Sequence, residues 1–278
     1  MSANDQAVVD TTRDYYDSPD ADNCYFHVWG GEDIHVGIYL SDGEPIRDAS
    51  HRTVRCMVDA LDLTPSSRLL DIGSGYGGSA RVIAREVGCH VTALNLSPVQ
   101  NRRAREMNVE QGLDDKIDVI DGSFEELPFT DESYDVVWCQ DSILHSARRD
   151  QVFREVDRVL RRGGHFIFTD PMQQSDVDAN VLAPVLARIH LPSMGSVEKY
   201  ERYARELGWE TVALERMPDA IVKHYGSVHR ELSARKSELS ELVSPAYIDR
   251  MTAGLEHWVT AGNQGALDWG ILHYRKPA

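Results

Sequence analysis

A doubly wound α/β fold is what this sequence predicts, on three observations. From Arg68 to Asp170, strand-length apolar runs alternate with helix-length amphipathic runs, the pattern of a parallel sheet with helices on both faces. The first of those strands leads into a glycine-rich turn, Gly73-Ser74-Gly75-Tyr76-Gly77-Gly78, where glycine lets the backbone turn sharply and approach a ligand. After Asp170-Pro171 the alternation stops, long helical patterns take over, and two late strand-like runs remain. Together these describe a Rossmann-like, seven-stranded, mostly parallel sheet with an inserted helical cap.

Taken in order, residues 5–17 read as a short helix ending in Tyr15-Tyr16, and 18–43 as an irregular segment. Four aromatics and two histidines within 25–39 are too many for a solvated loop, so this stretch is expected to pack on something. A helix covers 46–61. The strands are 68–72, 90–95, 117–120, 134–139 and 165–170, and the helices between them 79–87, 98–112 and 149–161. Arg162-Gly163-Gly164 is expected to stop the last of these. Beyond it, 178–208 reads as helices around Pro184 and Pro192, 209–216 as a strand, 219–242 and 245–261 as long helices, and 267–276 as a final strand. The chain 1–278 is expected to form one domain. Residues 1–45 would be an N-terminal lid, 46–171 the ligand-binding core, and 172–208 with 217–263 a substrate cap. The strands 209–216 and 267–276 complete the sheet as an antiparallel edge. Ligands in such sheets bind at the carboxyl ends of the strands.

Composition narrows the class. With 278 residues, 42% of them hydrophobic, the chain can bury a sizeable core. No apolar stretch reaches membrane length and Met1-Ser2-Ala3-Asn4-Asp5 lacks signal-peptide character, so a cytoplasmic protein with no membrane partner is expected. Cys24, Cys56, Cys89 and Cys139 form no C-x-x-C pair and read as free, buried thiols of a reducing compartment. A formal net charge of −16 argues against nucleic acid. Only five of the 29 basic residues are Lys, and an acidic, Lys-poor surface suits solubility in high salt.

The glycine turn carries the chemistry. Gly73, Gly75 and Gly78 satisfy the dinucleotide pattern G-x-G-x-x-G, but Asp71 stands two residues before the first glycine. A carboxylate there repels a pyrophosphate and suits a cation. The acid expected about 20 residues on, for an NAD ribose, is Asn95 instead. Asp71-Ile72-Gly73-Ser74-Gly75-Tyr76-Gly77 resembles motif I of class I S-adenosylmethionine (SAM) methyltransferases. That resemblance implies SAM as cofactor, with Asp71 and the Gly73–Gly77 backbone at its methionine end. Asn95, with Leu96 beside it, and Gln100 would face the ribose. Asp121 or the Ser123–Phe124 backbone would read the adenine edge while Phe124 packs on its ring. Gln140, just past the fourth strand, would lie where the methionine moiety meets the substrate. Tyr16 and the His35–Gly37 backbone are candidate cofactor contacts from the N-terminal segment.

Longer stretches carry a narrower resemblance. Trp29-Gly30-Gly31-Glu32-Asp33-Ile34-His35-Val36-Gly37-Ile38-Tyr39, Ala93-Leu94-Asn95-Leu96-Ser97, Gln140-Asp141-Ser142-Ile143-Leu144-His145-Ser146, Phe168-Thr169-Asp170-Pro171-Met172-Gln173 and the tail from His257 to Ile271 resemble the sarcosine/dimethylglycine N-methyltransferases. This implies methylation of sarcosine and N,N-dimethylglycine to glycine betaine, an osmoprotectant that gives the acidic surface a purpose. An O- or C-methyltransferase of natural-product biosynthesis, with His145 as base, is the competing activity. A SAM-binding sensor and an NAD-dependent oxidoreductase are the alternatives of other kinds. In-line methyl transfer needs positioning in a dry site more than a nucleophile. The amine must lose a proton, for which His145 or Asp141 is available, or solvent before binding. A quaternary ammonium product favours aromatic walls, with Tyr16, Trp29, Tyr39, Tyr200 and Trp269 as candidates. The substrate carboxylate wants a guanidinium. Arg188, beside Ile189-His190-Leu191, is the first choice, with Arg202, Arg205 and Arg230 behind it; His190 and Met172 are further substrate-side candidates. No H-x-x-x-H or carboxylate cluster has metal-ligand spacing, so no metal is expected. A homodimer is the assembly considered.

Overall fold

The computed structural model describes residues 3–189 and 191–278, with side chains from Val8 onward. Its strands are β1 (Arg68–Ile72), β2 (His90–Asn95), β3 (Ile117–Asp121), β4 (Tyr134–Gln140), β5 (Leu160–Thr169), β6 (Met172–Gln173), β7 (Glu210–Arg216), β8 (Leu267–Asp268) and β9 (Gly270–Arg275). Seven of them form one sheet in the order β3-β2-β1-β4-β5-β9-β7. The first five in that order are parallel, and β9 runs antiparallel to both β5 and β7. The direction of winding reverses between β1 and β4, so a crevice opens at their carboxyl ends.

The helices are α1 (Ala3–Asp17), α2 (Pro19–Val28), α3 (Ile46–Asp59), α4 (Gly78–Glu86), α5 (Pro98–Glu110), α6 (Arg149–Val159), α7 (Ala179–Ile189), α8 (Val197–Glu206), α9 (Pro218–Ala234), α10 (Lys236–Leu239) and α11 (Pro245–Asn263), with a 3-10 turn at Ile143–His145. One sheet face packs on α3 and α4 through Val54, Met57, Ile83 and Trp138. The other packs on α6 and α8 through Phe153, Val156, Tyr200 and Ala204. A third apolar cluster, with Trp29, Tyr225, Trp258 and Trp269, joins α2, α7, α9 and α11 over the carboxyl ends of the strands.

Five expectations need correction. Residues 18–43 are not irregular throughout, because α2 occupies 19–28. Its start is encoded locally: the Ser18 side chain accepts from Ala21 N–H, Pro19 fits the first turn, and Asp20 and Asp22 suit the positive helix end. Ala21, Cys24, Tyr25 and Val28 then bury one helical face. Nor does Gly163-Gly164 stop α6. That helix ends at Val159, and β5 starts at Leu160 and passes through both glycines. The strand kinks there, with Gly163 at φ +76° and the β4–β5 register shifting between Tyr134 and Val136. The region 219–242 is two helices, α9 and the short α10. Finally, the last strand is broken: β8 leaves the main sheet to pair with β6, and Trp269 stands between β8 and β9. Among the cysteines, Cys24, Cys89 and Cys139 are buried, whereas Cys56 is exposed.

The segment between α2 and α3 is bound tightly to the core. Arg81 of α4, fully buried, pairs with Glu32 at 2.7 Å. Ile38 N–H donates to Ala49 O at 3.1 Å and Thr53 Oγ1 to Val36 O at 2.9 Å. Gly37 lies so close to α3 that a Cβ would fall 2.7 Å from Ala49 and Ser50 atoms.

Candidate active site

At the carboxyl ends of β1, β2 and β4 lies a cavity with about 960 Å³ of empty space including its open mouth, roofed by α1. Its floor is the glycine turn. Gly73 and Ser74 N–H both donate to Leu94 O, at 2.7 and 3.1 Å. Gly73 (φ +75°) and Gly75 (φ +55°) take left-handed backbone, which costs glycine little. A side chain on Gly73 would also strike Ser142, 2.5 Å from its Cβ position. Asp71 is buried in this cavity wall. Burial pushes its carboxyl up to about 7, the nearby His35 pulling it down and Asp33 pushing it further up.

Around that floor the cavity holds unsatisfied polar atoms. Gln140 Oε1 accepts from the Ser79 hydroxyl and from Trp138 Nε1–H, leaving Gln140 Nε2 buried with no protein partner. Asn95 Nδ2 donates to Gln100 Oε1 at 3.0 Å, so Gln100 Nε2 is likewise orphaned. Glu125 Oε1 takes the Ser146 hydroxyl and its Oε2 has no partner. Buried donors and acceptors are normally satisfied. Here they ring a cavity, beside the apolar Leu96 and Phe124.

A second cavity, about 710 Å³, adjoins the first and shares with it Thr12, Tyr16, Ile34, His35, Asp141 and His145. Its other walls include Tyr15, Tyr25, Trp29, Tyr225 and Trp258, with Arg188. Tyr225 and Trp258 stack with ring centroids 4.5 Å apart. The Arg188 guanidinium is buried among Tyr15, Tyr25, Tyr225 and Tyr247. It lies beside the Tyr225 hydroxyl and donates to Met251 Sδ, 2.9 Å away. Among the described residues no carboxylate pairs with it. A buried cation without a counter-charge costs several kcal/mol, and none of the described carboxylates offsets this one.

The sequence and the fold match known proteins. The family profile described as "Methyltransferase domain" fits residues 70–168. The sarcosine/dimethylglycine N-methyltransferase of Aphanothece halophytica is 54% identical over 272 residues, 98% of each chain. That of Halorhodospira halochloris is 52% identical over 273 residues, again 98% of each. The chain belongs to the sarcosine/dimethylglycine N-methyltransferase family. A crystal structure from Galdieria sulphuraria, of a protein provisionally assigned as a sarcosine dimethylglycine methyltransferase, superposes with a TM-score of 0.87 at 43% identity, covering 95% of this chain and 99% of that one.

In this methyltransferase the first cavity brings together Tyr16, His35, Asp71, Gly73, Gly75, Asn95, Leu96, Gln100, Ser123, Phe124, Gln140, Asp141 and His145. Two expected cofactor residues fall outside its wall. Asp121 turns away to Asn101 Nδ2 at 2.6 Å and Arg105 at 2.9 Å on α5. Gly37 spends its N–H on His224 Nδ1 at 3.1 Å, behind the wall.

On the substrate side, Trp29 and Arg188 line the second cavity, whereas Tyr39, Met172, Tyr200 and Trp269 do not. Tyr39 hydrogen-bonds His224, and Tyr200 hydrogen-bonds Asp170 in the sheet-face core. Met172 pairs β6 with β8. Trp269 reaches the site only through Asp141, whose Oδ1 accepts the indole N–H at 2.8 Å while Oδ2 accepts Val36 N–H at 2.6 Å. His190 lies outside the described residues. Sequence reasoning missed Thr12, Tyr25, Glu125, Tyr225 and Trp258. The two helical aromatics, Tyr225 and Trp258, carry no signal to separate a cavity wall from core. Glu125 follows directly on the Asp121–Phe124 adenine segment, and that adjacency is the signal that could have found it.

His145 Nε2 bonds the Tyr16 hydroxyl at 2.9 Å. Burial first, then the Arg149 and Arg188 charges, pull the imidazole down to about 4. Its loop is held from below, since Leu144 N–H donates to Asp170 Oδ1 at 2.9 Å and Arg149 donates to Leu144 O at 2.7 Å. Among the described residues no group of His, Cys, Asp and Glu is arranged to hold a metal, and no helix is long and apolar enough to cross a membrane.

Proposed function

We propose that this protein transfers methyl groups from SAM to the nitrogen of sarcosine and N,N-dimethylglycine, giving glycine betaine. One observation carries the substrate assignment: an arginine whose guanidinium is buried without a carboxylate, in an aromatic cavity that adjoins the cofactor cavity. An amino acid's carboxylate supplies the missing charge to Arg188, and a nitrogen that gains positive charge as the methyl arrives suits the faces of Tyr16, Tyr25, Trp29 and Tyr225.

The residues present fit the cofactor. Asp71 is a buried carboxylate suited to the methionine ammonium. The orphaned Nε2 of Gln140 is a donor for the methionine carboxylate, and that of Gln100 a donor for the ribose. Ser123, Phe124 and Glu125 bound the adenine slot. When bound, SAM supplies an electrophilic methyl group on a cationic sulfur.

What the chain contributes is placement and a suitable ionic state. His145, neutral at working pH and engaged with Tyr16, is a poor acceptor for an ammonium proton. Asp141 has both oxygens engaged. The amine therefore sheds its proton on leaving water, a loss favoured by the Arg188 cation and by burial. His145, Gln140 and Asp141 act by holding the boundary between the two cavities. That pattern favours N-methylation over an O- or C-methyl transfer needing His145 as base. The closing element of the expected 1–45 lid is α1, which walls both cavities and is tethered through Tyr16–His145 and Asp17–Ser97. Residues 32–38 also line the cavities but are tied to the core by Glu32–Arg81 and Val36–Thr53. Suppression of protease cleavage in α1 by S-adenosylhomocysteine tests this division; suppression confined to 32–38 contradicts it.

Assay with labelled SAM against sarcosine, dimethylglycine, glycine and simple phenols tests the function. The expected result is transfer to the first two, little to glycine and none to the phenols. Preference for a phenol would favour the competing activity.

A further inference from the structure

Arg188 stands in the last turn of α7, and its side chain lies against Gly254 of α11. The space it uses is opened by Gly254. A Cβ on Gly254 would fall 2.7 Å from Arg188 Nε and nearer still to Cδ, closer than real Cβ atoms approach anything. Gly254 is interior to a nineteen-residue helix, where glycine weakens the helix relative to alanine, and its backbone has no positive φ to explain it. Three residues earlier, on the same helical face, Met251 Sδ accepts from Arg188 Nη2 at 2.9 Å. The third contact is the Tyr225 hydroxyl of α9. All three partners are neutral. They fix the guanidinium in place without spending its charge.

We infer that Gly254 and Met251 are positioning residues for Arg188: they set how far the guanidinium reaches into the amine cavity, and so fit the site to a carboxylate one carbon from the nitrogen. This rests on Arg188 being the carboxylate anchor. The glycine lets the stem pass close to α11, and the thioether, a weak acceptor, steadies the fork without competing with a substrate carboxylate.

The test is steady-state kinetics on Gly254→Ala and Met251→Leu with dimethylglycine and with N,N-dimethyl-β-alanine, one carbon longer. Misplacing a binding group by about 1 Å costs as much as about a hundredfold. Gly254→Ala is expected to raise KM for dimethylglycine about tenfold or more and to narrow the preference over the longer acid. Its kcat and its affinity for S-adenosylhomocysteine should stay near wild type. Met251→Leu, which keeps the volume, is expected to raise KM several-fold. In an Arg188→Ala background, where the stem is gone, Gly254→Ala should have no further effect on KM. An unchanged KM in Gly254→Ala, or an equal loss in both backgrounds, overturns the inference. If Gly254→Ala does not fold, Met251→Leu decides it, and an unchanged KM there is contradictory. Should Arg188→Ala itself leave KM untouched, the carboxylate reading fails first, and that outcome is distinct from the others.

Discussion

Replacing Arg188 with Met is expected to lower kcat/KM for dimethylglycine by about 10²–10³-fold, the cost of leaving a desolvated carboxylate without its charged partner. The loss should appear mainly in KM, because the guanidinium binds a part of the substrate that does not change during methyl transfer. Affinity for SAM should be unaffected, since Arg188 lines the second cavity and not the first. Arg188→Lys should recover only part of the loss, lacking the planar fork that matches a carboxylate. Kinetics with calorimetric binding of S-adenosylhomocysteine reads all of this. A wild-type KM in Arg188→Met would remove the substrate assignment while leaving the methyltransferase family in place.

The second large effect is expected at Asp71. In the free protein burial holds its carboxyl near 7, and an arriving ammonium must find it ionised. SAM affinity should therefore fall about tenfold per pH unit below about 7, with a proton released on binding. Asp71→Asn should weaken SAM binding by at least about a hundredfold at pH 8, the scale of a lost buried charge pair. It should also flatten the pH dependence. Stability should move the other way. The folded carboxyl is raised above its unfolded value, so its ionisation opposes folding, with no effect below pH 4 and a growing one from pH 4 to about 7. Asp71→Asn should then raise the melting temperature at pH 8 and leave it unchanged at pH 4. A residue that costs stability and supplies affinity is present for its ligand. Equal SAM affinity in calorimetry at pH 8 would defeat this account of the cofactor site.

What the sequence revealed tracks how local each signal is. The parallel strands from Arg68 onward were legible because each is an apolar run bounded by its own turn, and Asp71, Asn95 and Gln140 followed because they sit at strand ends. The start of α2 was equally local in Ser18-Pro19-Asp20, but the aromatic density that follows drew the reading toward a loop. Gly163-Gly164 misled for a different reason: glycine after a helix usually ends it, whereas here the pair kinks a strand that β4 and β9 hold on either side. The aromatic wall was the least legible part. Tyr225 and Trp258 come from α9 and α11, some 200 residues from Tyr25 and Trp29, and periodicity marks all four as apolar without saying which faces are left uncovered. Tyr39, Tyr200 and Trp269 look no different in the sequence, yet the first bonds His224, the second bonds Asp170 and the third supports Asp141.

On the proposed function, the charge on Arg188 selects an amino acid by its carboxylate and presents the nitrogen to SAM. Turnover of N,N-dimethylglycinamide against dimethylglycine measures it most directly, since the two differ little in size and only the acid carries the charge. Expected are betaine from dimethylglycine and a kcat/KM for the amide lower by about a hundredfold or more in the wild type, with the gap closing in Arg188→Met. Equal turnover of acid and amide by the wild-type enzyme would contradict it.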